Sequence, residues 1–324
     1  MQALVRTREG AALVSRARPN LPAKPGWARV RLLVAGLCRT DVYAARGDLP
    51  CAPATVLGHE AAGVIVAFSD GSSPGPAHAA ALADGTLVAF HPYVGCEACA
   101  ACHAGNPHRC DEARMLGLGR DGVFAEEVVV PIAACVPLPG VHDPRVAAFL
   151  EPYAAALAVA GIDVPRSARV LVLGAGRIAT LCAQVLSHEG FLHVTCTDRP
   201  PAGESYDVGV ETRADEEALD ALARTVRPGG TLVLKSRPAT RVAVSLGLWA
   251  QRDLRVQGVS YAPFELAAAR LAAGHFDVTP WLGALHSFES FRDVLLGAGP
   301  DAAQDSSEHG GKPLLACSPP ACAA

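Results

Sequence analysis

Residues Val170-Leu171-Val172-Leu173-Gly174-Ala175-Gly176-Arg177-Ile178-Ala179 place an unbroken apolar run directly before a G-x-G-x-x-A turn, with a helix-forming stretch to about Ser187 behind it. A strand that is apolar on both faces must be covered on both, which calls for a parallel sheet with helices on either side. Gly174 permits the tight turn, Gly176 lets backbone approach a pyrophosphate, and small Ala179 lets helix and strand pack closely. Arg177 and Ile178 open the helix, whose free N–H groups and positive end suit phosphate. Asp198 ends the next expected strand, where a carboxylate accepts hydrogen bonds from ribose hydroxyls. That acid favours NAD over NADP, whereas Arg199 directly after it suits a 2′-phosphate.

The pattern around this turn is alternating β and α. Strands are expected at Arg169–Leu173, His193–Thr197, Tyr206–Glu211, Thr231–Lys235 and Leu254–Ser260, and helices at Arg177–Ser187, Ala214–Val226, Arg241–Gln251 and Pro263–Ala273. The first 150 residues read differently. Short apolar runs at Ala28–Ala35, Ala61–Phe68, Thr86–His91 and Val123–Val130 are separated by Gly/Pro turns, the signature of a β-rich domain. Asp70–His78 and Asp301–Gly311 read as loops, Ser290–Leu296 as helical, and Ser318–Ala324 as a disordered end; Pro313–Ala316 reads as a strand rejoining the first domain. The expected fold is therefore α/β, with a β-rich domain at 1–152 and 278–324 and a doubly wound domain at 153–277. At 324 residues, half hydrophobic and 19% charged, the chain can bury two ordinary cores.

Net charge is −4 without clustered Lys or Arg, so no nucleic-acid partner is expected. No apolar run reaches the ~18 residues of a membrane span and the first residues are polar, which leads us to expect no membrane partner and a cytoplasmic protein. Eleven cysteines in that reducing compartment point to metal binding over disulfides.

Cys96-x2-Cys99-x2-Cys102-x7-Cys110 offers four thiolates within fifteen positions. Zinc with four sulfurs leaves no open position and is structural. An iron–sulfur cluster uses four cysteines too, and the spacing admits it.

Three further places carry metal-ligand chemistry: Cys38 after an apolar run, His59-Glu60 before another, and Glu151 ahead of Pro152. Taken singly, each is an ordinary core or hydrogen-bonded residue. Taken together, a thiolate, an imidazole and one or two carboxylates make a zinc site with an open position. Such a zinc lowers the pKa of a bound hydroxyl, and hydride then leaves the adjacent carbon more readily.

Gly36–Asp41, Gly58–Gly63, the four-cysteine lobe, Asp121–Glu126, Glu151-Pro152, Gly174–Ala179 and Arg227-Pro228-Gly229-Gly230 together resemble the zinc-containing medium-chain dehydrogenase/reductase superfamily. The resemblance implies a GroES-like catalytic domain and a Rossmann cofactor domain, with two zincs per chain. Cys38 and His59 would be catalytic zinc ligands, Glu60 an alternate or outer ligand, and Glu151 the glutamate of the polyol and threonine dehydrogenase branch. Thr40 would accept the alcohol proton, and Arg39 would contact the cofactor pyrophosphate. Relatives form dimers or tetramers through a cofactor-domain edge, here Leu254–Ser260.

Two departures stand out. Tyr43 occupies the place of a proton-relay histidine. After Asp198 only Arg199–Ser205 remain where relatives have a helix and a strand, so the cofactor sheet should be short of one edge strand and bind adenosine more weakly. The activity implied is hydride transfer between NAD and a secondary alcohol of polyol, amino alcohol or cyclitol type. The alternatives are an NADPH-linked aldehyde or ketone reductase and a zinc-stabilised dinucleotide sensor without chemistry.

Overall fold

The computed structural model describes residues 1–69, 82–201, 203, 205–238, 240–291, 294 and 311–317. The chain divides into two compact units, Met1–Glu151 with Pro263–Ala324, and Pro152–Ala262.

In chain order, unit 1 begins with β1 (Gln2–Thr7) and β2 (Gly10–Ser15), β3 (Trp27–Gly36), α1 (Arg39–Arg46), β4 (Ala61–Phe68), β5 (Leu87–Phe90) and β6 (Tyr93–Val94). It continues with α2 (Ala100–His103), β7 (Arg114–Met115), β8 (Glu127–Pro131), β9 (Cys135–Pro137) and α3 (Pro144–Ala148); α4 (Leu150–Leu157) crosses the boundary in sequence. Unit 2 holds β10 (Arg169–Leu173), α5 (Arg177–His188), β11 (His193–Thr197), β12 (Tyr206–Glu211), α6 (Glu216–Thr225), β13 (Val226–Leu234), α7 (Leu246–Gln251) and β14 (Arg255–Gly258). The chain then returns to unit 1 with α8 (Phe264–Ala272), β15 (Leu282–Ser287) and β16 (Lys312–Ala316).

The main sheet of unit 1 runs β15-β16-β3-β4-β5-β9, with β8 also paired to β3. Strand β3 shows why it forms: Ala28, Val30, Leu32 and Val34 are buried while Arg31 between them is exposed, the period of a pleated strand with one face in the core. Ala28, Val30 and Leu32 pack with Leu4, Leu57, Ile65, Phe90 and Phe124 into a single cluster. The sheet's register matters for chemistry. Ala35 pairs with Ala61 across β3 and β4, and Gly36 pairs with Leu314 across β3 and β16, both antiparallel. Residues just past β3, just before β4 and at the start of β16 therefore gather at one end of the sheet.

Unit 2 is a five-stranded, wholly parallel sheet of order β11-β10-β12-β13-β14. Every residue of β10 after Arg169 is buried, as a strand covered on both faces requires. The order reverses between β11 on one side of β10 and β12 on the other, which makes the switch point where such sheets hold ligands. The expected deletion is visible as an edge: β11 has one neighbour only, and its residues are exposed or half-buried.

Several expectations shift. Phe264 packs its ring 4.3 Å from that of His91, so α8 belongs to unit 1 and the boundary falls at Pro263, not at 278. Val123 and Phe124 are not in a ladder; they bond to the carbonyls of Gly58 and Leu57, leaving β8 to begin at Glu127. Helix α7 starts at Leu246 and not Arg241, because Val242 and Val244 are β-branched and Ser245 stands at the N-cap position. The expectations for Asp70–His78 and Ser318–Ala324 and most of those for Ser290–Leu296 and Asp301–Gly311 lie outside the described residues.

Candidate metal centres and dinucleotide turn

Cys38 lies two residues past β3 and caps α1, where the Asp41 carboxylate accepts its N–H at 2.9 Å. His59 and Glu60 lie immediately before β4, and the carbonyl of Glu60 accepts the N–H of Gly36 at 2.8 Å. The β3–β4 register thus brings the two segments together. The result is a Cys38–His59–Glu60 group whose ligand atoms all lie within 4.8 Å of one another.

The surroundings orient that group. His59 Nδ1 faces Asp41 Oδ1 at 3.2 Å, which directs Nε2 towards Glu60 Oε1 at 3.7 Å. His59 and Asp41 are both buried, and the Asp41 charge and hydrogen bond raise the pKa of the imidazole against the effect of burial. Burial alone raises the Cys38 thiol, but the hydrogen bond and charge of His59, with Lys312, bring it down to about 7. Thr40 Oγ1 is 3.7 Å from Cys38 Sγ and Arg39 opens α1 beside it. A thiolate, a neutral imidazole with its other nitrogen held by a carboxylate, and a buried carboxylate are the donors a catalytic zinc takes.

Lys312 is the residue that sequence reasoning missed. It is buried at the start of β16, opposite Cys38 by extension of the β16–β3 register, and pairs with Glu60 Oε2. Burial raises the Glu60 pKa, and so does the charge of Glu151, while Lys312 opposes both. No motif marks a lysine some 250 residues away; only the sheet register brings it here. Glu151 is buried and felt by Glu60, but it stands outside the three-residue group. Of the two glutamates expected there, Glu60 is the one whose oxygen falls within the group, because it shares the backbone turn of His59.

The second group is Cys96, Cys99, Cys102 and Cys110, again with ligand atoms within 4.8 Å. A tetrahedron with Zn–S arms of ~2.3 Å has edges of about 3.8 Å, so this spacing suits one ion and is tight for a multi-iron cluster. Hydrogen bonds at Cys102 pull the half-buried Cys99 thiol down to about 7.

In unit 2, Gly174 has φ +147°, a conformation that disfavours any side chain, and a Cβ there would lie 2.2 Å from Thr212 Oγ1. Gly176, at the N-cap of α5, has ordinary angles, and a Cβ there would meet nothing within 4 Å. One glycine is demanded by the fold, and the other leaves space where a ligand's phosphates would come. Arg177 and Ile178 follow, half-buried, in the first turn of the helix. Asp198 and Arg199 are exposed just beyond β11, and Arg213 Nη1 donates to the Asp198 carbonyl at 3.2 Å.

Residues 24–140 match the alcohol dehydrogenase GroES-like domain family. The chain is 34% identical to L-galactonate-5-dehydrogenase of Escherichia coli (strain K12) over 221 residues, 66% of this chain and 62% of that protein. It is 26% identical to L-threonine 3-dehydrogenase of Cutibacterium acnes over 97% of this chain and 98% of that one. A zinc-binding dehydrogenase of Sinorhizobium meliloti 1021, solved bound to NADP, superposes with a TM-score of 0.80 at 25% identity, covering 97% of this chain and 98% of the other. Residues 24–140 carry the GroES-like domain of alcohol dehydrogenases, and over nearly its whole length the chain is similar to zinc-binding medium-chain dehydrogenases. The relatives it resembles are named as L-galactonate and L-threonine dehydrogenases. Among the described residues no helix is long and apolar enough to cross a membrane.

Proposed function

We propose that the chain catalyses reversible hydride transfer between a small secondary alcohol and NAD, using one zinc for chemistry and a second for structure. The observation that carries this reading is the Cys38–His59–Glu60 group, three different donors converging within 4.8 Å. Zinc bound there would supply Lewis acidity towards a hydroxyl oxygen. Asp41 holds the His59 tautomer, and the half-buried Thr40 hydroxyl, beside Cys38, accepts the alcohol proton as it passes its own to solvent. Arg39 and the Gly174–Ile178 turn bind the dinucleotide phosphates. The Asp198 carboxylate favours NAD at the ribose.

The names of two relatives, L-galactonate and L-threonine dehydrogenases, support a vicinally hydroxylated or amino-hydroxylated alcohol as substrate here. Strand β14 is the sheet's outer strand and all four of its residues are exposed, which supports a homodimer or homotetramer joined there.

Arg199 and Arg213 beside Asp198 support a second reading, an NADPH-linked reductase of aldehydes or ketones. Turnover with NADH against NADPH separates the two. The test of the main reading is metal analysis with mutation. About two zincs per chain are expected, and Cys38→Ser should lose one zinc and all turnover while still binding NADH. Retained turnover in Cys38→Ser overturns it.

A further inference from the structure

One end of the unit 1 sheet holds more metal donors than a reactive zinc can use. Cys38, His59 and Glu60 converge within 4.8 Å, and buried Glu151 stands close enough for its charge to be felt at Glu60. A zinc that took all four would have a closed shell, with no position for a substrate oxygen. One donor has to be held back.

Glu60 is the donor with a second claim on it. Its Oε1 lies 3.7 Å from His59 Nε2, on the donor side, while its Oε2 pairs with the Lys312 ammonium. Both side chains are buried. An ammonium on the outer oxygen of a carboxylate weakens it as a ligand and repels a divalent cation on the inner side. The strand makes room for this pair at Gly36, where no positive φ asks for glycine. A Cβ there would lie 2.6 Å from Lys312 Cε and 2.9 Å from Glu60 Oε2. The Gly36 N–H is held by the Glu60 carbonyl at 2.8 Å, and Gly36 pairs with Leu314 in β16, so the flexible end of Lys312 is what would have to move. A buried ion pair adds little net stability over apolar residues of the same size, so this one calls for another role.

We infer that Lys312 is a positioning residue that keeps Glu60 an exchangeable ligand of zinc at Cys38 and His59, so that one coordination position stays open to the alcohol oxygen. This rests on the hydride-transfer reading above and adds to it the residue that sets how firmly Glu60 holds metal. Gly36 is the gap in which Lys312 and Glu60 meet.

The experiment uses the full-length protein without dinucleotide or substrate and needs no turnover. Zinc affinity is read by chelator competition. Cobalt(II) is then put in place of zinc, and the visible absorption that Cys38→Ser removes is titrated with imidazole, a probe that takes an open metal position. Lys312→Met should bind zinc at the Cys38 group about tenfold or more tightly, and its cobalt form should bind imidazole about tenfold or more weakly, as Glu60 closes the shell. Lys312→Arg, which keeps the charge, should stay near wild type. Gly36→Ala keeps the lysine but displaces its end from Glu60, so it should move both readouts the same way even where Lys312→Met does not fold. Adding Glu60→Gln to either variant should cancel the change. Zinc affinity and imidazole binding that stay at wild-type values, or that fall together, in Lys312→Met or Gly36→Ala overturn the inference and leave the hydride-transfer reading standing. A wild-type protein with no cobalt signal that Cys38→Ser removes overturns both.

Discussion

Asp41 Oδ1 lies 3.2 Å from His59 Nδ1, while Asp41 Oδ2 accepts the N–H of Cys38 at 2.9 Å. One carboxylate thus fixes both the imidazole and the backbone of the thiol residue. Asp41→Asn keeps the shape and loses the charge. Zinc affinity at the Cys38 group should fall about 10- to 100-fold, as read by chelator competition, with the four-cysteine group unaffected. Unchanged affinity would make Asp41 a helix cap only.

Lys312 and Glu60 are an ion pair with both side chains buried. Removing one partner leaves the other charge stranded. Lys312→Met should destabilise the protein by about 3–5 kcal/mol in denaturant unfolding, and the double change with Glu60→Gln should recover much of the loss. A Lys312→Met protein as stable as wild type would show that the pair contributes nothing.

The two glycines of the dinucleotide turn predict opposite outcomes. Gly174→Ala meets a positive φ and the Thr212 hydroxyl, which itself donates to the Leu173 carbonyl at 2.8 Å. It should destabilise the unliganded protein by about 1–3 kcal/mol. Gly176→Ala meets nothing within 4 Å, so its stability should stay within about 0.5–1 kcal/mol of wild type while NADH binding weakens. Thermal unfolding and NADH fluorescence titration read the two effects separately. Intact NADH binding in Gly176→Ala would place the phosphates elsewhere.

His91 is buried, stacked on His108 at 5.8 Å between centroids and packed on Phe264. Its Nδ1 accepts the Tyr93 N–H at 3.1 Å. Burial first, then His108, lowers its pKa from 6.5 to about 3, with Glu265 pulling the other way. The folded state therefore binds this proton less well than the unfolded one. The stability that His91 contributes is complete above pH 6.5 and is lost progressively as pH falls towards about 3. His91→Phe should flatten the slope of unfolding free energy between those limits. An unchanged slope would assign the acid sensitivity to other groups.

The two halves of this protein were legible in sequence to different depths. The strand Arg169–Leu173, the turn at Gly174 and the helix behind it are local, since each residue's job depends on neighbours within a few positions, and β10 and α5 begin where the pattern sets them. The short lobe with Cys96, Cys99, Cys102 and Cys110 is legible for the same reason. Missing residues after Asp198 likewise announced a sheet with β11 at its edge. The N-terminal hairpin β1–β2 was there to be read in its alternation around Glu9-Gly10, a short signal beside the longer runs that follow.

Residues Cys38, His59 and Glu60 carry ligand chemistry in the sequence, but their convergence depends on the pairing of Ala35 with Ala61, and the arrival of Lys312 on that of Gly36 with Leu314. Register between strands far apart in the chain is set by which faces are buried together, and no local pattern encodes it. The assignment of α8 to unit 1 has a similar cause, the packing of Phe264 on His91. Sequence alone determined which chemical groups the protein possesses and which local turns are suited to phosphate and metal. The tertiary structure decided which carboxylate stands beside His59 and which cation answers it, because burial and long-range pairing settle those choices.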